Sequence, residues 1–596
     1  MAEAEADVYS ESDSESDLES DISALSDREE YDLSESDEDP DGFLGFGDIL
    51  VQPPQQFQWT KDLHGRPNVV PDFVGHGGPS HPLPREATAL DYFNLFIDDD
   101  LLNKWINYTD ANAKSPQKKK PWTRPTLEEI KVFIATLMVT NYSLQPARME
   151  MLWSRTEKDW LLHTPGFWVV QKQQRFRVIK RYFRVASQEF IDTHARDPAK
   201  KVRPLLNHML EKFESEWTLG EKVTIDEIMI PFKGRFRGKQ YIRSKPVKWG
   251  LRVDAIVDQQ TYYLWRFRLY TGKVNVPQQL QTLGVMGYLV VHLMSGLQNK
   301  GHKLTIDRGY ASPILFQYLA EIGVGANGTC TTSRKGYPKQ IIKKGKGQRG
   351  EWDWLRSGNL LAVRWFDSTQ NYFLSNFHYP DNEVVQRRQP GGDRIDVRAT
   401  SMVKHYNEDM NGIDVLDQMT RVAKDRKQTK WYMRAVIKIF EWVSHNAHIL
   451  EEQNPNRPPR LHGRKRDLLE FRLEVAHQLV GDTRVTRKRK LVDANTQQRL
   501  IKCIDHFPEA SDSSDTTCVV CRERHVRYKK RYPDISYKDM PCKRVKTSFT
   551  CSGCDVALCI KRTKSVDGKY TASSCWSKWH TVQEYWRPMP WEVPDL

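Results

Sequence analysis

The spacing of apolar residues changes twice along this chain, and these changes limit the folds that it can adopt. From Ala87 to about Trp217, apolar residues recur at steps of three and four, which predicts the buried faces of helices. Runs rich in β-branched and aromatic residues begin at Val223, as is typical of strands. From Ser401 to Leu450 the helical spacing returns. The pattern therefore predicts a multidomain α/β protein in which a strand-rich part lies, in sequence, between two helical parts.

Individual elements follow from the same pattern. Thr126 and Glu129 have the spacing of a capping box that opens a helix. Strands are predicted over 223–230, 252–257, 262–270, 304–306, 361–366 and 372–377. The strand over 304–306 is expected to lead into a helix over 313–322.

Charge is distributed unevenly over the 596 residues. The chain has 90 Lys and Arg against 77 Asp and Glu, a formal net charge of +13. Residues 1–50 hold 19 acids and one base, a net charge of −18, so the remainder carries +31. A surplus of this size favours a polyanionic partner, most commonly nucleic acid. Residues 1–85 are predicted to be a disordered acidic and Pro/Gly-rich tail, which is either a solvated segment or a regulatory one. Several of its serines precede acidic residues. If the tail is regulatory, an acid-directed kinase is an expected partner.

Two classes of protein are excluded at this stage. The best apolar run, 287–297, is too short to span a bilayer and contains His292, so no membrane partner is expected. Residues 1–20 are acidic, which does not fit a secretory signal. Only Cys330 lies before residue 503, so the large body has no disulfide framework and an intracellular protein is expected.

Four aspartates occupy positions that suit metal chemistry. Asp226 closes the strand-like run 223–226 and Asp307 closes the run 304–307, while Asp414 and Asp417 are three apart on a helix and share a face. An unpaired buried carboxylate is costly, and divalent cations remove that cost. Converging carboxylates can hold two Mg²⁺ ions for phosphoryl transfer. Spacing alone equally allows helix caps and surface salt bridges.

The sequence motifs around these aspartates indicate a function more specifically than the spacing of the aspartates does. They are Thr224-Ile225-Asp226-Glu227, Phe232-Lys233-Gly234-Arg235, Lys245-Pro246 with Lys248-Trp249-Gly250, Asp307-Arg308-Gly309-Tyr310, and Gly412-Ile413-Asp414-Val415-Leu416-Asp417-Gln418-Met419. In this order they resemble the piggyBac transposase family, from about Leu90 to the C-terminus.

The resemblance implies an RNase H-like catalytic domain in which Asp226, Asp307 and Asp414 are the essential carboxylates and bind two catalytic Mg²⁺ ions. Asp417 matches an additional acid of the family. The implied activity is cut-and-paste transposition, with hydrolytic nicking at transposon ends, hairpin formation and joining into TTAA sites. Glu227 is expected on the opposite side of the strand from Asp226. Arg308-Gly309-Tyr310 departs from the family, which often has Asn followed by aromatic residues there.

The resemblance and the patterning together give five expected regions. They are the tail (1–85), a first helical DNA-binding and dimerisation part (86–222), the RNase H-like domain (223–421) with an insertion at about 328–398, a second helical part with a basic linker (422–502), and a cysteine-rich zinc domain (503–596).

Basic residues interleaved with aromatic ones are expected to bind DNA, the bases through its phosphates and the aromatic rings by stacking. The candidates are Lys233, Arg235, Arg237, Lys239, Arg243, Lys245, Lys248, Arg252, Arg426, Lys427, Lys430 and Trp431. A generic solvated face is the alternative for the bases, and a core position is the alternative for Trp431.

Eight of the nine cysteines lie after residue 502, and two pairs have the C-x-x-C spacing that zinc uses. Two structural Zn²⁺ ions need eight ligands. Seven are expected to be Cys518, Cys521, Cys551, Cys554, Cys559, Cys575 and His580. The eighth is Cys542 or His525. The family resemblance implies a cross-braced module that helps to recognise transposon ends.

The favoured hypothesis is a nuclear DNA transposase of piggyBac type that acts as a homodimer on double-stranded DNA, both transposon ends and a TTAA target. Arg487-Lys488-Arg489-Lys490, with Arg464-Lys465-Arg466 upstream, is the candidate nuclear-localisation segment. One alternative is a domesticated protein that binds DNA or chromatin without cutting it. Another is an unrelated metal-dependent nuclease.

Overall fold

The structure is a computed structural model. It describes residues 57–62, 70–114, 122–140, 153, 167–243, 245–272, 274–389, 392–421, 428–457, 466–481, 506–510, 516–540, 543–552, 554–560, 562–564, 570–581 and 585. The chain divides into two compact units, Met1–Val485 and Thr486–Leu596. None of the helices in the described part is both long enough and apolar enough to cross a membrane.

The first unit begins with short helices around one core. After strand β1 (Gly78–Pro79) come α1 (Ala89–Asn94), α2 (Asp99–Lys114), α3 (Leu127–Thr140), α4 (Phe167–Val170), α5 (Gln173–Tyr182), α6 (Gln188–Thr193) and α7 (Arg203–Ser215). The expected capping box opens α3: the Glu129 amide donates to Thr126 Oγ1 over 3.2 Å, and the Thr126 amide donates to Glu129 Oε2 over 3.3 Å. This prediction is confirmed.

A nine-stranded sheet follows, with helices between its parallel strands. The elements are β2 (Trp217–Thr218), which pairs with β1, then β3 (Lys222–Pro231), β4 (Lys239–Tyr241), β5 (Trp249–Asp258), β6 (Leu264–Leu269), α8 (Gly284–Leu293), β7 (Lys303–Ile306), α9 (Pro313–Glu321), β8 (Gly325–Thr329), β9 (Trp352–Ser357), β10 (Leu360–Phe366) and β11 (Gln370–Ser375). The strand order is β4-β5-β3-β7-β8-β11-β10-β9, and β6 pairs with β5. Strand β3 is antiparallel to β5 and parallel to β7, which is parallel to β8.

A β-hairpin and four helices follow the last strand of the sheet in the described part of the first unit. They are β12 (Glu383–Arg388), β13 (Arg394–Ala399), α10 (Ser401–Asp409), α11 (Gly412–Thr420), α12 (Trp431–Gln453) and α13 (Leu468–Val480). Strands β12 and β13 form a separate hairpin. A small core that includes Trp365, Val385 and Met402 lies between this hairpin, β10 and α10.

Helices that are distant in sequence share one core with the sheet. Trp442 of α12 is buried, and its ring lies 5.2 Å from Phe267 of β6. Phe440 of the same helix lies 6.1 Å from Trp105 of α2. The helical parts that flank the strands in sequence therefore pack together against the sheet.

The second unit is built from short elements. They are β14 (Pro508–Ala510), α14 (Val519–Arg531), β15 (Phe549–Cys551), β16 (Arg562–Lys564), β17 (Tyr570–Ser574) and α15 (Cys575–Thr581). Its small core contains Cys518, Val520, Leu558 and Trp579.

The predicted strand over 223–230 is confirmed as β3. Asp226 lies within this strand rather than at its end, because β3 continues to pair with β5 as far as Pro231. Part of the expected 1–85 tail is also structured. Thr60 forms an antiparallel bridge with Arg356, and the Trp59 indole donates to the Gly336 carbonyl over 2.9 Å, because aromatic side chains there have apolar surface to bury. Residues 1–56 lie outside the described part.

Gly412 provides a test of how closely α11 must pack on the sheet. A Cβ at this position would lie 2.4 Å from Gln259 Oε1 and 2.9 Å from Val257 Cγ2. We expect Gly412→Ala to lower the free energy of unfolding by about 1–3 kcal/mol, because overpacking must be relieved by movement of the helix.

Urea denaturation followed by circular dichroism measures this effect. Gly309→Ala is the matched control, since a Cβ there meets nothing within 4 Å. Equal stability of the two variants would contradict close packing at Gly412.

Candidate catalytic and metal-binding sites

Parallel pairing places two of the predicted aspartates side by side. The pairing of β3 with β7 ends at Ile225 and Ile306, which are register partners. Asp226 and Asp307 are the next residues of the two strands. Because β3 and β7 run in the same direction, both carboxylates lie at the same edge of the parallel pair.

Asp307 is exposed and is oriented by two donors. Its Oδ1 accepts a hydrogen bond from Thr329 Oγ1 over 2.9 Å and one from the Arg308 amide over 2.6 Å. Thr329 is the last residue of β8, the parallel neighbour of β7, and it also lies 3.2 Å from the Tyr406 hydroxyl. No local motif predicted a functional role for Thr329. Its position could have been predicted because parallel neighbouring strands end at the same edge of a sheet, and Thr329 ends the strand next to β7.

Asp226 is paired with Glu227 and Lys245. The Lys245 Nζ lies 3.8 Å from Asp226 Oδ2 and 3.2 Å from Glu227 Oε1. Burial raises the pKa of Asp226 to about 8, and the adjacent Glu227 carboxylate adds to the shift. Burial opposes ionisation of Glu227 as well, but the hydrogen bond from Asp226 and the charge of Lys245 lower its pKa. The register of β3 against β5 is uninterrupted here, so strand alternation starts the two side chains on opposite faces, yet both carboxylates reach the Lys245 ammonium.

Behind Glu227 is a buried polar group. The Tyr310 hydroxyl donates to Asp254 Oδ1 over 2.8 Å and lies 3.5 Å from Glu227 Oε2. The Arg252 guanidinium contacts the same Asp254 oxygen at 2.7 Å. Burial works against the charge of Arg252, but Asp254 raises its pKa. Arg252, a predicted DNA contact, thus faces this buried polar group. Tyr310, which belongs to the segment where the sequence departs from the family, is part of the same buried group.

The two aspartates of α11 have different surroundings. Asp414 is exposed, and its charge is one of those that raise the pKa of Lys245 in spite of the opposing effect of burial. Asp417 Oδ1 lies 3.3 Å from Nζ of the buried Lys438 on α12. Asp414 therefore lies within electrostatic range of the Asp226 pair, whereas Asp417 contributes to the contact between α11 and α12.

The donor set at this edge fits a hard divalent cation, because all of its candidate ligands are carboxylate oxygens. In the described part of the chain, three groups bring three or more ligand atoms within 4.8 Å of one another, and Asp226, Asp307 and Asp414 are not among them.

The predicted DNA-contacting residues separate into two sets. Exposed side chains are Lys233, Arg235, Arg237, Arg243 and Lys248. Lys239, Lys430 and Trp431 are partly buried: the Lys239 ammonium donates to the Gly234 carbonyl over 3.1 Å, Lys430 donates to the Arg181 carbonyl over 2.8 Å, and the Trp431 ring lies 4.3 Å from that of Phe236. Arg426 and Lys427 lie outside the described residues.

The predicted cysteine ligands form two groups in the second unit. One consists of Cys518, Cys521, Cys559 and Cys575, and the other of Cys551, Cys554, His580 and His506. In the first, Cys521 Sγ lies 3.5 Å from Cys575 Sγ and 4.0 Å from Cys559 Sγ. Tetrahedral ligands at about 2.3 Å from a zinc ion would be separated by roughly 3.8 Å. Both groups have the donors and spacing to hold a metal ion.

The eighth ligand position is occupied by His506. Its Nδ1 lies 3.2 Å from Cys554 Sγ and 3.3 Å from Cys551 Sγ. His580 completes the group through Nε2, because its Nδ1 contacts the Trp576 carbonyl at 2.9 Å. The alternative with His525 is wrong, since that histidine lies against Tyr537 and in neither group. Cys542 lies outside the described residues. His506 was missed because it precedes the first C-x-x-C pair, although Cys503 stands three residues before it at C-x-x-H spacing and could have drawn attention to it.

A third group, His448, Glu451 and Glu452, also brings its ligand atoms together. Arginines surround it: Arg457 contacts Glu452 at 2.5 Å, and Arg466 contacts Glu451 at 2.9 Å. These ion pairs already neutralise the carboxylates and connect the end of α12 to the start of α13. Arg466, part of the candidate localisation segment, thus has a structural role.

Comparisons with known proteins agree on one relationship. The chain matches the family described as Transposase IS4 over residues 88–448. PiggyBac transposable element-derived protein 3 of Homo sapiens is 25% identical over 492 residues, 80% of this chain and 75% of that protein. PiggyBac transposable element-derived protein 2 of Homo sapiens is 27% identical over 416 residues, 67% of each. The cryo-EM structure of the piggyBac transposase synaptic complex with hairpin DNA has a TM-score of 0.58 and 21% identity, covering 70% of this chain and 86% of that chain, which shows a similar fold.

Replacing His506 tests the composition of the second metal group. We expect His506→Ala to release one of two bound metal ions at a chelator concentration at least about tenfold lower than the intact chain requires, because three ligands hold a structural ion less tightly than four. Elemental analysis during chelator titration gives the measurement.

His525→Ala is the matched control and should retain both ions with unchanged resistance to chelator. Loss of metal in the His525 variant, with none in the His506 variant, would contradict the grouping.

Proposed function

This chain belongs to the piggyBac transposase family, and from that premise we propose that it is a DNA transposase that excises and inserts a DNA element by cutting and joining strands. The observation that carries the proposal is the placement of Asp226 and Asp307 on adjacent parallel strands, with Asp414 on the helix packed against β3. Asp226 and Asp307 lie at the same end of the parallel pair, and Asp414 lies within electrostatic range of the Lys245 that contacts Asp226, an arrangement that supports a phosphoryl-transfer site.

The proposed core is RNase H-like. Three antiparallel strands, β6, β5 and β3, are followed in the sheet by the parallel strands β7 and β8, and this order supports the assignment. We identify the expected insertion at about 328–398 with the chain between β8 and α10. This chain contributes β9, β10 and β11 to the same sheet, and β12 and β13 form a separate hairpin.

Asp226, Asp307 and Asp414 would hold two Mg²⁺ ions, which would activate the attacking water or 3′-hydroxyl and stabilise the leaving oxygen. The protein's own part is orientation. Thr329 and the Arg308 amide fix the Asp307 carboxylate, while Glu227 and Lys245 fix Asp226. No side-chain nucleophile is needed for this chemistry.

Further elements of the proposal concern DNA and assembly. The exposed bases from Lys233 to Lys248 would contact the DNA backbone, and the two Cys/His groups would each hold a structural Zn²⁺ ion. A homodimer is proposed because two element ends must be held together, with TTAA as the target. The proposal also includes nuclear localisation through the basic segments. It further includes phosphorylation of the acidic tail by an acid-directed kinase.

A second candidate is a domesticated protein that binds DNA or chromatin without cutting. The names of the two human relatives, both described as transposable element-derived proteins, favour it. The presence of all three aspartates supports the catalytic alternative.

Excision of a donor that carries cognate terminal repeats tests the proposal. We expect the intact chain to excise the donor and Asp307→Asn to reduce excision by roughly 10³-fold, because loss of a metal-binding carboxylate removes several kcal/mol of transition-state stabilisation. DNA binding by the variant should remain, since Asp307 contributes no positive charge. Binding without excision by the intact chain would favour the domesticated alternative.

The basic residues make a separate prediction. For duplex DNA, each of Lys233→Ala, Arg235→Ala and Arg237→Ala should reduce the slope of log affinity against log salt by about 0.9, the value for one lost phosphate contact. Fluorescence anisotropy across a salt series measures the slope.

Lys300→Ala is the control, because exposed Lys300 precedes the start of β7 and so lies at the opposite end of that strand from Asp307. If all four substitutions reduced the slope equally, the bases after β3 would have no special role.

A further inference from the structure

The loop between β4 and β5 brings one lysine into the carboxylate site. Within it, the Ile242 amide donates to the Lys248 carbonyl over 2.9 Å, which closes the base of the loop. Lys245 lies within this closed loop, with its ammonium 3.2 Å from Glu227 Oε1 and 3.8 Å from Asp226 Oδ2. The same ammonium donates to the Glu227 carbonyl over 3.5 Å. One positive charge thus contacts three oxygens of two consecutive acidic residues.

Lys245 differs from the exposed bases of the Lys233–Arg252 stretch. Its side chain is 25% exposed, and the side chains of Asp226 and Glu227 are 17% and 20% exposed, so the contact is largely shielded from water. Lys248, three residues later in the same loop, is exposed. A phosphate-binding role suits Lys248, whereas the position of Lys245 suits an interaction with the carboxylates themselves.

The charges explain why a cation is needed here. Asp226 and Glu227 are neighbours, and the carboxylate of Asp414 lies within electrostatic range of Lys245. Ionised carboxylates this close are unfavourable without a compensating positive charge. Asp226 Oδ2 faces Lys245 and Oδ1 accepts a hydrogen bond from the Glu227 amide over 2.8 Å, so a divalent cation on this carboxylate would lie close to the ammonium and be repelled by it.

We propose that Lys245 is the resident counter-ion of the carboxylate site, and that a divalent cation must displace its ammonium in order to bind Asp226. This inference rests on the proposed function and assigns Lys245 a role distinct from the DNA-backbone contact made by exposed bases. Lys245 acts through Asp226 and Glu227, so it is a positioning residue that sets the affinity of the site for metal.

Magnesium titration of the full chain tests the proposal without any measurement of activity. Isothermal titration calorimetry at constant ionic strength gives the dissociation constant, and Asp226→Asn identifies the heat that belongs to this site. We expect Lys245→Gln to tighten Mg²⁺ binding about five- to tenfold, because the competing charge is gone. Lys245→Arg, which keeps the charge, and Lys248→Gln, which removes a charge from the same loop, should stay within about twofold of the intact chain.

The outcomes separate the two proposals. Asp226-dependent binding that Lys245→Gln leaves unchanged or weakens would overturn the role of Lys245 and leave the proposed function standing. An equal gain in the Lys248 variant would also overturn it, because the effect would then be one of net charge. No Asp226-dependent heat in the intact chain would overturn both.

A second measurement does not need a neutral variant to fold. Lysines labelled by reductive methylation with ¹³C keep their positive charge and give separate NMR signals. The signal that is missing in Lys245→Arg should shift as Mg²⁺ is added to the intact chain, with the dissociation constant found by calorimetry. The Lys248 signal should not move. A Lys245 signal that ignores Mg²⁺ would overturn the proposal.

Discussion

The parallel pairing of β3 with β7 is the constraint on which the candidate site depends. Hydrogen bonding in register through Ile225 and Ile306 brings Asp226 next to Asp307, although 80 residues separate them in sequence. Parallel strands need a crossover, and here the chain between them includes β4, β5, β6 and α8. Helix α11 then packs against β3 closely enough that Gly412 has no room for a Cβ, and this packing brings Asp414 to the same end. Each step positions a carboxylate through backbone structure rather than through a local motif.

Bringing acids together creates an electrostatic problem, and the surroundings of the site reduce it. Asp226 and Glu227 face Lys245, Asp307 accepts two hydrogen bonds, and Asp417 is paired with Lys438. Buried carboxylates that lacked such partners would destabilise the fold. The same partners keep the side chains in place for a cation, so features that stabilise the protein also organise its proposed chemistry.

Comparison with the sequence-based predictions shows which kinds of information a sequence contains. The strand over 223–230, the helix over 313–322 and the capping box of Thr126 and Glu129 were predictable because apolar period and capping residues act over a few positions. The grouping of Cys518, Cys521, Cys559 and Cys575 was not, because metal ligands are brought together by chain folding and the spacing allowed other pairings. His506 was overlooked for the same reason, and the side-chain directions of Glu227 and Lys245 could not be read from strand alternation.

By itself, the sequence determined the local elements, the uneven charge, the seven cysteine and histidine ligands and, through its characteristic words, the family. Those properties depend on residue type and short spacing. Only the tertiary structure decided which carboxylates meet, that His506 completes the second Cys/His group, and that Lys245 faces Asp226 and Glu227 while Lys248 is exposed. The physical reason is that strand register, helix packing and loop closure fix the distances between residues far apart in sequence, and electrostatic and ligand interactions depend on those distances.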